Sequence, residues 1–356
     1  MSLQVLPIAS LPVGIKNGVG GLVGRRLYAG LGSAGKHLFF YDLDTPALGW
    51  QQAPLFPGLE RNDAVAVTSG NRLYVFSGAG IEPGNCSPSV LSDGYYFDVN
   101  DNAWGQVEAS IPVGLLGASG CEIEPEKLLF FGGYNKSTFD DFLSKLSQVD
   151  AALQPQQHQA LLSEFMSQPI EEYGWNGDIW QFDTRLQRWS IKASNPFAAN
   201  CGAGLIQQEN RVTLIEGEVK PGLRSLDSKQ FTFHSTGGAD YQRIPAIAQS
   251  NPNHEGIAGG FAGLTQDALT VAGGAYFVGS QDNYRKRQWY SHQGLKKHYS
   301  TDIWRFDGKR WQIAGQLSQG LAYGVAISVG DEMYVIGGED NSGAAQRGCC
   351  VLTWSH

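Results

Sequence analysis

The chain has 356 residues, of which 42% are hydrophobic and 17% are charged, so it can bury a large core. A net charge of -8 without a clustered basic stripe argues against nucleic acid as a partner, because phosphate binding requires grouped Lys and Arg side chains. No apolar run has the length of a membrane span, which argues against a membrane partner, and the 46 glycines indicate many tight turns.

The strongest pattern is a repeat with a period of about fifty residues, which is typical of kelch-type propeller blades. Six strand-like apolar runs end in Gly-Gly or a variant of it, in the order RLYAGLG, RLYVFSG, KLLFFGG, RVTLIEG, ALTVAGG and EMYVIGG. An aromatic-rich strand and then a tryptophan follow most of these runs; they are Trp50, Trp104, Trp189 and Trp311, with Tyr241 at the same place in the fourth unit. Each unit predicts a four-stranded antiparallel sheet, and we expect the tryptophans to fill the space between neighbouring sheets.

The two ends of the chain predict closure of a ring. The sixth unit stops at CCVLTWSH without an outer strand, whereas the N-terminal LQVLPIASLPVG resembles GQVEASIPVG, the outer strand of the second unit. The first residues should therefore complete the last blade, which removes the exposed sheet edges. The predicted fold is all-β: a six-bladed kelch-type β-propeller, closed by the N-terminal strand, with residues 1–356 forming a single domain.

Two loops that follow a diglycine are much longer than ordinary hairpin loops. In residues 134–177 of blade three, apolar residues at helical spacing predict an amphipathic helix from Phe139 to Leu153 and a weaker helix around Leu161 to Met166. Residues 275–301 of blade five form a basic insertion. Because strands alternate in direction, both insertions should emerge on the same face as EGEVKPGLR of blade four, around the mouth of the central channel.

Other residues should reach this rim as well. The starts of the innermost strands are expected there, at Arg61, Gly202, Phe261 and Tyr323. The basic residues of the blade-five insertion indicate an anionic ligand on an otherwise acidic protein, although a solvated charge run is the alternative for any one of them; they are Arg285, Lys286, Arg287, Lys296 and Lys297. The five cysteines have neither metal-binding nor disulfide spacing, so we expect mostly buried thiols and no metal site.

Four motifs carry a resemblance to a known family. The segments GEVKPGLRS, GGFAG, HQGLKKHYSTDI and LSQGLAYGV, in this order between the diglycines, resemble the bacterial N-acetylneuraminate epimerases, also called sialic acid mutarotases. The likeness covers nearly the whole chain. It implies a six-bladed periplasmic enzyme that converts the α anomer of N-acetylneuraminate into the β anomer. The first residues, MSLQVLPIAS, contain no visible secretory signal, so a cytoplasmic location is the alternative to the periplasm.

The resemblance also implies roles for individual residues. The catalytic glutamate of the family falls on Glu218, which can act as a base on the anomeric hydroxyl without any cofactor. The essential arginine falls on Arg224, which can bind the carboxylate of the sugar through two parallel hydrogen bonds. Arg61 would make either a second contact with that carboxylate or a structural salt bridge. His292 and Tyr323 are expected to contact the sugar. The acid that protonates the ring oxygen is either a side chain, with these two residues as candidates, or water.

Two other functions remain open at this point, because a kelch propeller does not by itself decide function. A lectin-like module would bind an acidic sugar and use Glu218 only to orient it. A protein-interaction module would present a flat, aromatic-rich rim. The chain has Leu321 where the family pattern has an arginine, and its cysteine pair Cys349–Cys350 is not part of that pattern. The Leu321 difference leaves the exact sugar acid open. The sequence also leaves the oligomeric state open.

Overall fold

Six four-stranded antiparallel sheets surround one axis in the computed structural model, which describes residues 2–235 and 237–355. From the axis outward, the strands of blades 1 to 3 are Val19–Val23, Arg26–Gly30, Leu38–Asp42 and Trp50–Gln52; Val65–Ser69, Arg72–Phe76, Gly94–Asp98 and Ala103–Val107; and Ser119–Glu124, Lys127–Phe131, Asp178–Asp183 and Arg188–Ser194. Those of blades 4 to 6 are Gly204–Gln208, Arg211–Ile215, Ser228–Phe233 and Ala239–Ile244; Phe261–Thr265, Ala268–Ala272, Asp302–Phe306 and Trp311–Gln316; and Val325–Val329, Glu332–Ile336, Cys349–Trp354 and Leu3–Ile8.

The N-terminal strand closes the ring. Leu3–Ile8 pairs with Cys349–Trp354 in antiparallel register, from Leu3 opposite Trp354 to Ile8 opposite Cys349. The last blade thus takes its outer strand from the beginning of the chain, and blade 6 has four strands like the other blades. The predicted six-bladed propeller with N-terminal closure is confirmed.

The core lies between the blades rather than at the axis. Each pair of neighbouring blades encloses one cluster of buried apolar side chains, and the clusters form six wedges around the ring. Trp50 and Trp311 are buried in two of these wedges. The indole of each donates a hydrogen bond to a backbone carbonyl in the preceding linker between blades, at Ala9 and Pro245 respectively. Tyr241, which takes the tryptophan position in blade 4, is 56% exposed and fills no such space.

The insertion in blade 3 is helical, as predicted, but its helices have different bounds. Helix α1 spans Lys136–Ser147, α2 spans Pro155–Met166, and a 3-10 turn follows at Ile170–Tyr173. The side chain of Asn135 caps α1 by accepting a hydrogen bond from the amide of Thr138. Leu153 does not extend α1, because the chain has left the helix and this side chain is exposed.

Shorter elements complete the fold. Helix α3 spans Ile247–Ser250 and α4 spans Ser280–Arg285. Three two-stranded ribbons and two further 3-10 turns lie outside the blades, at Ala79–Gly80 with Ser89–Val90, Glu218–Lys220 with Leu223–Arg224, Ala275–Phe277 with Lys297–Tyr299, Gly32–Ala34 and Pro46–Leu48. Among the described residues, no helix combines the length and the apolar character needed to cross a bilayer. Cys86 is exposed and Cys350 is partly buried, while the other three thiols are buried, in agreement with the expectation for the cysteines.

A closed ring of backbone hydrogen bonds surrounds the axis. In each blade, the residue two positions before the innermost strand donates its N–H to the carbonyl of the equivalent residue in the preceding blade, over 2.8 to 2.9 Å. The six residues are Asn17, Asp63, Gly117, Gly202, Gly259 and Tyr323, and all have φ between 52° and 70°. This left-handed conformation suits glycine, and asparagine and aspartate adopt it more readily than most other residues, whereas a tyrosine rarely does. The ring therefore holds the Asp63 and Tyr323 side chains at the axis.

Candidate active site

The site begins with a short ribbon in the loop after the diglycine of blade 4. Strands Glu218–Lys220 and Leu223–Arg224 pair around the turn at Pro221 and Gly222, and their register sets Glu218 opposite Arg224. Directly opposed residues in antiparallel strands have neighbouring side chains. Gly222 has φ +79°, and a Cβ there would lie 1.7 Å from Nδ1 of His292. The Pro-Gly turn thus brings together a carboxylate and a guanidinium that are six positions apart in sequence.

Arg224 lies behind Glu218, away from solvent. Its Nη1 is 2.8 Å from Oε1 of Glu218, and its side chain is only 1% exposed. Nε donates a hydrogen bond to the carbonyl of Ala275 over 3.1 Å, and Nη2 donates to the hydroxyl of Tyr323 over 3.2 Å. The guanidinium also stacks over Phe277. With Nε and Nη2 committed, this geometry does not favour the expected pair of parallel hydrogen bonds from Arg224 to a ligand; it favours holding Glu218.

A cavity of about 300 Å³ opens at the axis above the backbone ring. Its volume is at the lower end of the range for small-molecule sites, about 300 to 1,000 Å³. Its polar lining includes Asp63, Tyr134, Glu218, Lys297, Tyr323 and Glu339, which come from five of the six blades. Other depressions lie between α1 and α2 and beside the outer strand of blade 5. The axial cavity is the one in which Glu218 and several other charged groups converge.

Glu339 occupies the position in blade 6 that Glu218 occupies in blade 4, directly after the second glycine of the diglycine. Its carboxylate accepts hydrogen bonds from Nζ of Lys16 over 2.6 Å and Nζ of Lys297 over 2.7 Å, and from the hydroxyl of Tyr299. Burial alone would raise the pKa of Glu339, but these three donors lower that pKa to about 2. Two lysines and one carboxylate leave this side of the cavity with a net positive charge.

Asp63 differs from both glutamates because, within the part of the chain that the structure describes, it forms no ion pair with a cation. Among the described residues, its side chain makes no hydrogen bond or ion pair. Burial, together with the charges of Glu218 and Glu339, raises the pKa of Asp63 to about 7. Burial likewise raises the pKa of Tyr134 and of Tyr323 well above the usual value, so both phenols stay protonated at neutral pH.

Arg61 does not reach the cavity. Its buried guanidinium forms a bidentate pair with Asp93, over 2.7 and 3.1 Å, and donates further hydrogen bonds to the carbonyls of Leu59 and Ser77. All of its nitrogens are thereby engaged. Of the two roles considered for Arg61, the geometry favours the structural salt bridge over contact with substrate. The ring position of blade 2 belongs instead to Asp63, two residues further on.

His292 packs against the Pro-Gly turn instead of lining the cavity. Its imidazole lies between Phe277 and Tyr290, with centroid distances of 4.9 Å to each ring. Burial, and then the charges of Arg224 and Lys220, lower the pKa of His292 to about 4. A neutral imidazole at pH 7 is a poor proton donor, so this geometry favours a packing role over the predicted roles in substrate binding and as the acid. Tyr323, in contrast, does line the cavity.

Of the other residues expected at the rim, some line the cavity and others do not. Of the five basic residues in the blade-five insertion, Lys297 lines the cavity and the other four are exposed. Phe261 is buried in the core between blades 5 and 6, as is Leu321. Sequence reasoning overlooked Asp63 and Glu339. An alignment of the six diglycines indicates both. Asp63 and Tyr323 each lie fifteen residues before the second glycine of their own blades, and Glu339 directly follows that glycine, as Glu218 does in blade 4.

Comparison with known proteins supports one family. The family model described as N-acetylneuraminate epimerase matches residues 8–356. The chain belongs to the N-acetylneuraminate epimerase family. It is 36% identical to the N-acetylneuraminate epimerase of Brucella melitensis, with 97% of this chain and 89% of that one covered. The solved structure titled "Structure of YjhT" superimposes with a TM-score of 0.92 at 30% identity, covering 98% of this chain and 97% of the other.

Two relatives come from the same strain of Vibrio cholerae. A Kelch domain-containing protein is 50% identical to this chain and covers 99% of both chains. An N-acetylneuraminate epimerase is 35% identical, covering 97% of this chain and 90% of that one. The family assignment makes this chain an enzyme, a carbohydrate epimerase, rather than a non-catalytic kelch module.

Proposed function

We propose that the protein catalyses mutarotation of N-acetylneuraminate or a closely related sialic acid, converting the α anomer into the β anomer by opening and reclosing the pyranose ring. The observation that carries this proposal is the Glu218 carboxylate, which Arg224 holds at the wall of the axial cavity. Family membership supports the substrate class, since the relatives from Brucella melitensis and Vibrio cholerae are named for N-acetylneuraminate.

Glu218 is the proposed base. Ring opening removes the proton from the anomeric hydroxyl, and a carboxylate in hydrogen-bond reach can accept it, with a typical contribution of about 10² to 10⁴-fold in rate. Arg224 and the amide of Gly222 fix the orientation of this carboxylate, because both lie close to Oε1 of Glu218, at 2.8 and 3.3 Å. The guanidinium also places a positive charge directly beside this carboxylate.

The charges around Glu339 favour an acidic rather than a neutral sugar as the ligand of this cavity. Lys16 and Lys297 share the single carboxylate of Glu339, so the three side chains carry one net positive charge. In a sialic acid the carboxylate is attached to the anomeric carbon, so its receptor must lie near the base. Lys297 meets this requirement because it lines the same cavity as Glu218. We propose Lys297 as the residue that receives the carboxylate of the substrate.

The test follows the anomers directly. A sialidase releases α-N-acetylneuraminate, and proton NMR records the conversion for the wild type, Glu218→Gln and Arg224→Ala. Glu126→Gln and Arg25→Ala, which change exposed residues, serve as matched controls. We expect acceleration by the wild type and both controls and a loss of at least about 10²-fold in Glu218→Gln. Binding of the sugar by the wild type without acceleration would instead support the lectin-like function.

A further inference from the structure

We propose that Asp63 is the general acid of the reaction, the group that protonates the ring oxygen while Glu218 removes the proton from the anomeric hydroxyl. The inference rests on the proposed mutarotase function. It goes beyond that function by assigning the second proton transfer to a residue that neither the sequence motifs nor the family resemblance indicated.

The first support is position. Asp63 lies in the backbone ring at the base of the cavity, where its amide donates to the carbonyl of Asn17 and its carbonyl accepts from the amide of Gly117. Asp63 lines both the axial cavity and a second, smaller cavity beside the starts of the innermost strands. The ring fixes the backbone of Asp63 in the left-handed region, at φ +54°, and so holds the start of this side chain in place at the axis. Glu218 stands at the wall of the same cavity, so the two carboxyl groups can act on one bound sugar.

The second support is charge. Glu218 has Arg224 as its cation, and Glu339 has Lys16 and Lys297. Asp63 has no ion pair within the described residues. The charged groups that influence it are Glu218 and Glu339, which disfavour its ionisation, and Lys297, which favours it. The nearby phenols of Tyr134 and Tyr323 and the thiol of Cys201 remain protonated, because burial raises the pKa of each.

These environments separate the two carboxyl groups into a base and an acid. Glu218 has a guanidinium as its partner, whereas a carboxyl that is shielded from water near other anions, as Asp63 is, keeps its proton to a higher pH. The pKa of Asp63, raised to about 7, leaves a large fraction protonated at neutral pH. A general acid works best when its pKa is close to the working pH. Asp63 is therefore matched to the task that neutral His292 cannot perform.

Each proton that Glu218 or Asp63 transfers during ring opening is returned during ring closure. On opening, Glu218 accepts the hydroxyl proton, the carbonyl forms, the bond from the anomeric carbon to the ring oxygen breaks, and Asp63 donates its proton to that oxygen. The open keto acid rotates about the bond next to its carbonyl. On closure, the hydroxyl attacks the carbonyl carbon, Asp63 regains a proton from that hydroxyl, and Glu218 returns its proton to the carbonyl oxygen. Both residues are restored, and no further reactant is required.

The test is the pH profile of Asp63→Asn. Asparagine tolerates the left-handed backbone and has nearly the same shape, so the variant keeps the ring while it loses the acid. After subtraction of the enzyme-free rate, we expect the wild-type kcat/KM to fall as the pH rises through about 7. Asp63→Asn should be slower by about 10²-fold or more and should lack this decline. Asp101→Asn, which changes an exposed aspartate, should behave as the wild type.

A stability measurement gives a second readout that is independent of activity. The raised pKa of Asp63 means that its contribution to stability is full below about pH 4 and is lost as the pH rises through about 7. Asp63→Asn should therefore gain thermal stability relative to the wild type between pH 5 and pH 8, whereas Asp101→Asn should not. An unchanged rate, an unchanged pH profile or a constant stability difference in Asp63→Asn would each overturn the assignment. A wild type without mutarotase activity would overturn the proposed function itself.

Discussion

At Glu216, backbone strain and the hydrogen bonds of a buried carboxylate have opposite effects on stability. Glu216 stands where blades 3, 5 and 6 have the first glycine of the diglycine, and its φ of +52° lies in the left-handed region. Holding a residue with a side chain in this region costs roughly 1 to 2 kcal/mol. Glu216→Gly restores the glycine and relieves this strain. From backbone conformation alone, the substitution would stabilise the protein.

The hydrogen bonds of the Glu216 carboxylate have the opposite effect, because their loss would destabilise the protein. The Glu216 side chain is fully buried, and its Oε2 accepts a hydrogen bond from the amide of Ile257 over 2.7 Å. Nε2 of His254 lies 2.8 and 2.9 Å from the two carboxylate oxygens. Without the carboxylate, the Ile257 amide and the His254 imidazole each lose a buried partner, at a cost of roughly 1 to 3 kcal/mol apiece. The two lost contacts outweigh the relieved strain, and the middle of each range predicts that Glu216→Gly is less stable than the wild type by about 2 to 3 kcal/mol.

Urea unfolding monitored by tryptophan fluorescence measures this difference. Glu126→Gly is the matched control, because Glu126 also has a left-handed backbone, with φ +67°, but its side chain is exposed. The control should be unchanged or slightly more stable, since strain is relieved without loss of a buried contact. If Glu216→Gly were as stable as the wild type, the carboxylate contacts would contribute less than the backbone strain costs, and the reasoning would be wrong.

Three further outcomes are expected. Glu339→Gln should lower the melting temperature more at pH 7 than at pH 3, because the lowered pKa of Glu339 stabilises the fold above about pH 4.5 and this contribution is lost as the pH falls toward 2. Lys297→Gln should raise KM for the acidic sugar by about tenfold or more, in NMR assays at several concentrations, because a charge-assisted hydrogen bond is lost. Lys220→Met should increase hydrogen exchange in both insertions, because the buried Lys220 ammonium donates hydrogen bonds to the carbonyls of Gln168 and Trp289.

The repeat pattern was sufficient to predict the blades and their closure. Diglycines, strand-like runs and tryptophans recur in this order in most blades, about fifty residues or more apart. The diglycine indicates a tight turn, the apolar run a strand, and the tryptophan a side chain that fills the space between blades. The helical insertion was also predicted, but its bounds were not. Helical spacing of apolar residues cannot show that α1 ends at Ser147 and that α2 begins at Pro155, because the local capping and tertiary packing set those limits.

The amino-acid sequence by itself determined the fold, the family resemblance and the choice of Glu218 and Arg224 as site residues, because all three rest on residues close together along the chain or on regular repeats. The ion pair between Glu218 and Arg224 was seen only in the structure. The tertiary structure alone decided which charged groups meet at the axis. Asp63, Lys297 and Glu339 belong to different blades, and only closure of the ring brings them into one cavity. Packing within blade 2 sets Arg61 against Asp93, away from that cavity. The charge of a side chain follows from its identity, but its protonation and its partners depend on burial and on neighbours that are distant in sequence.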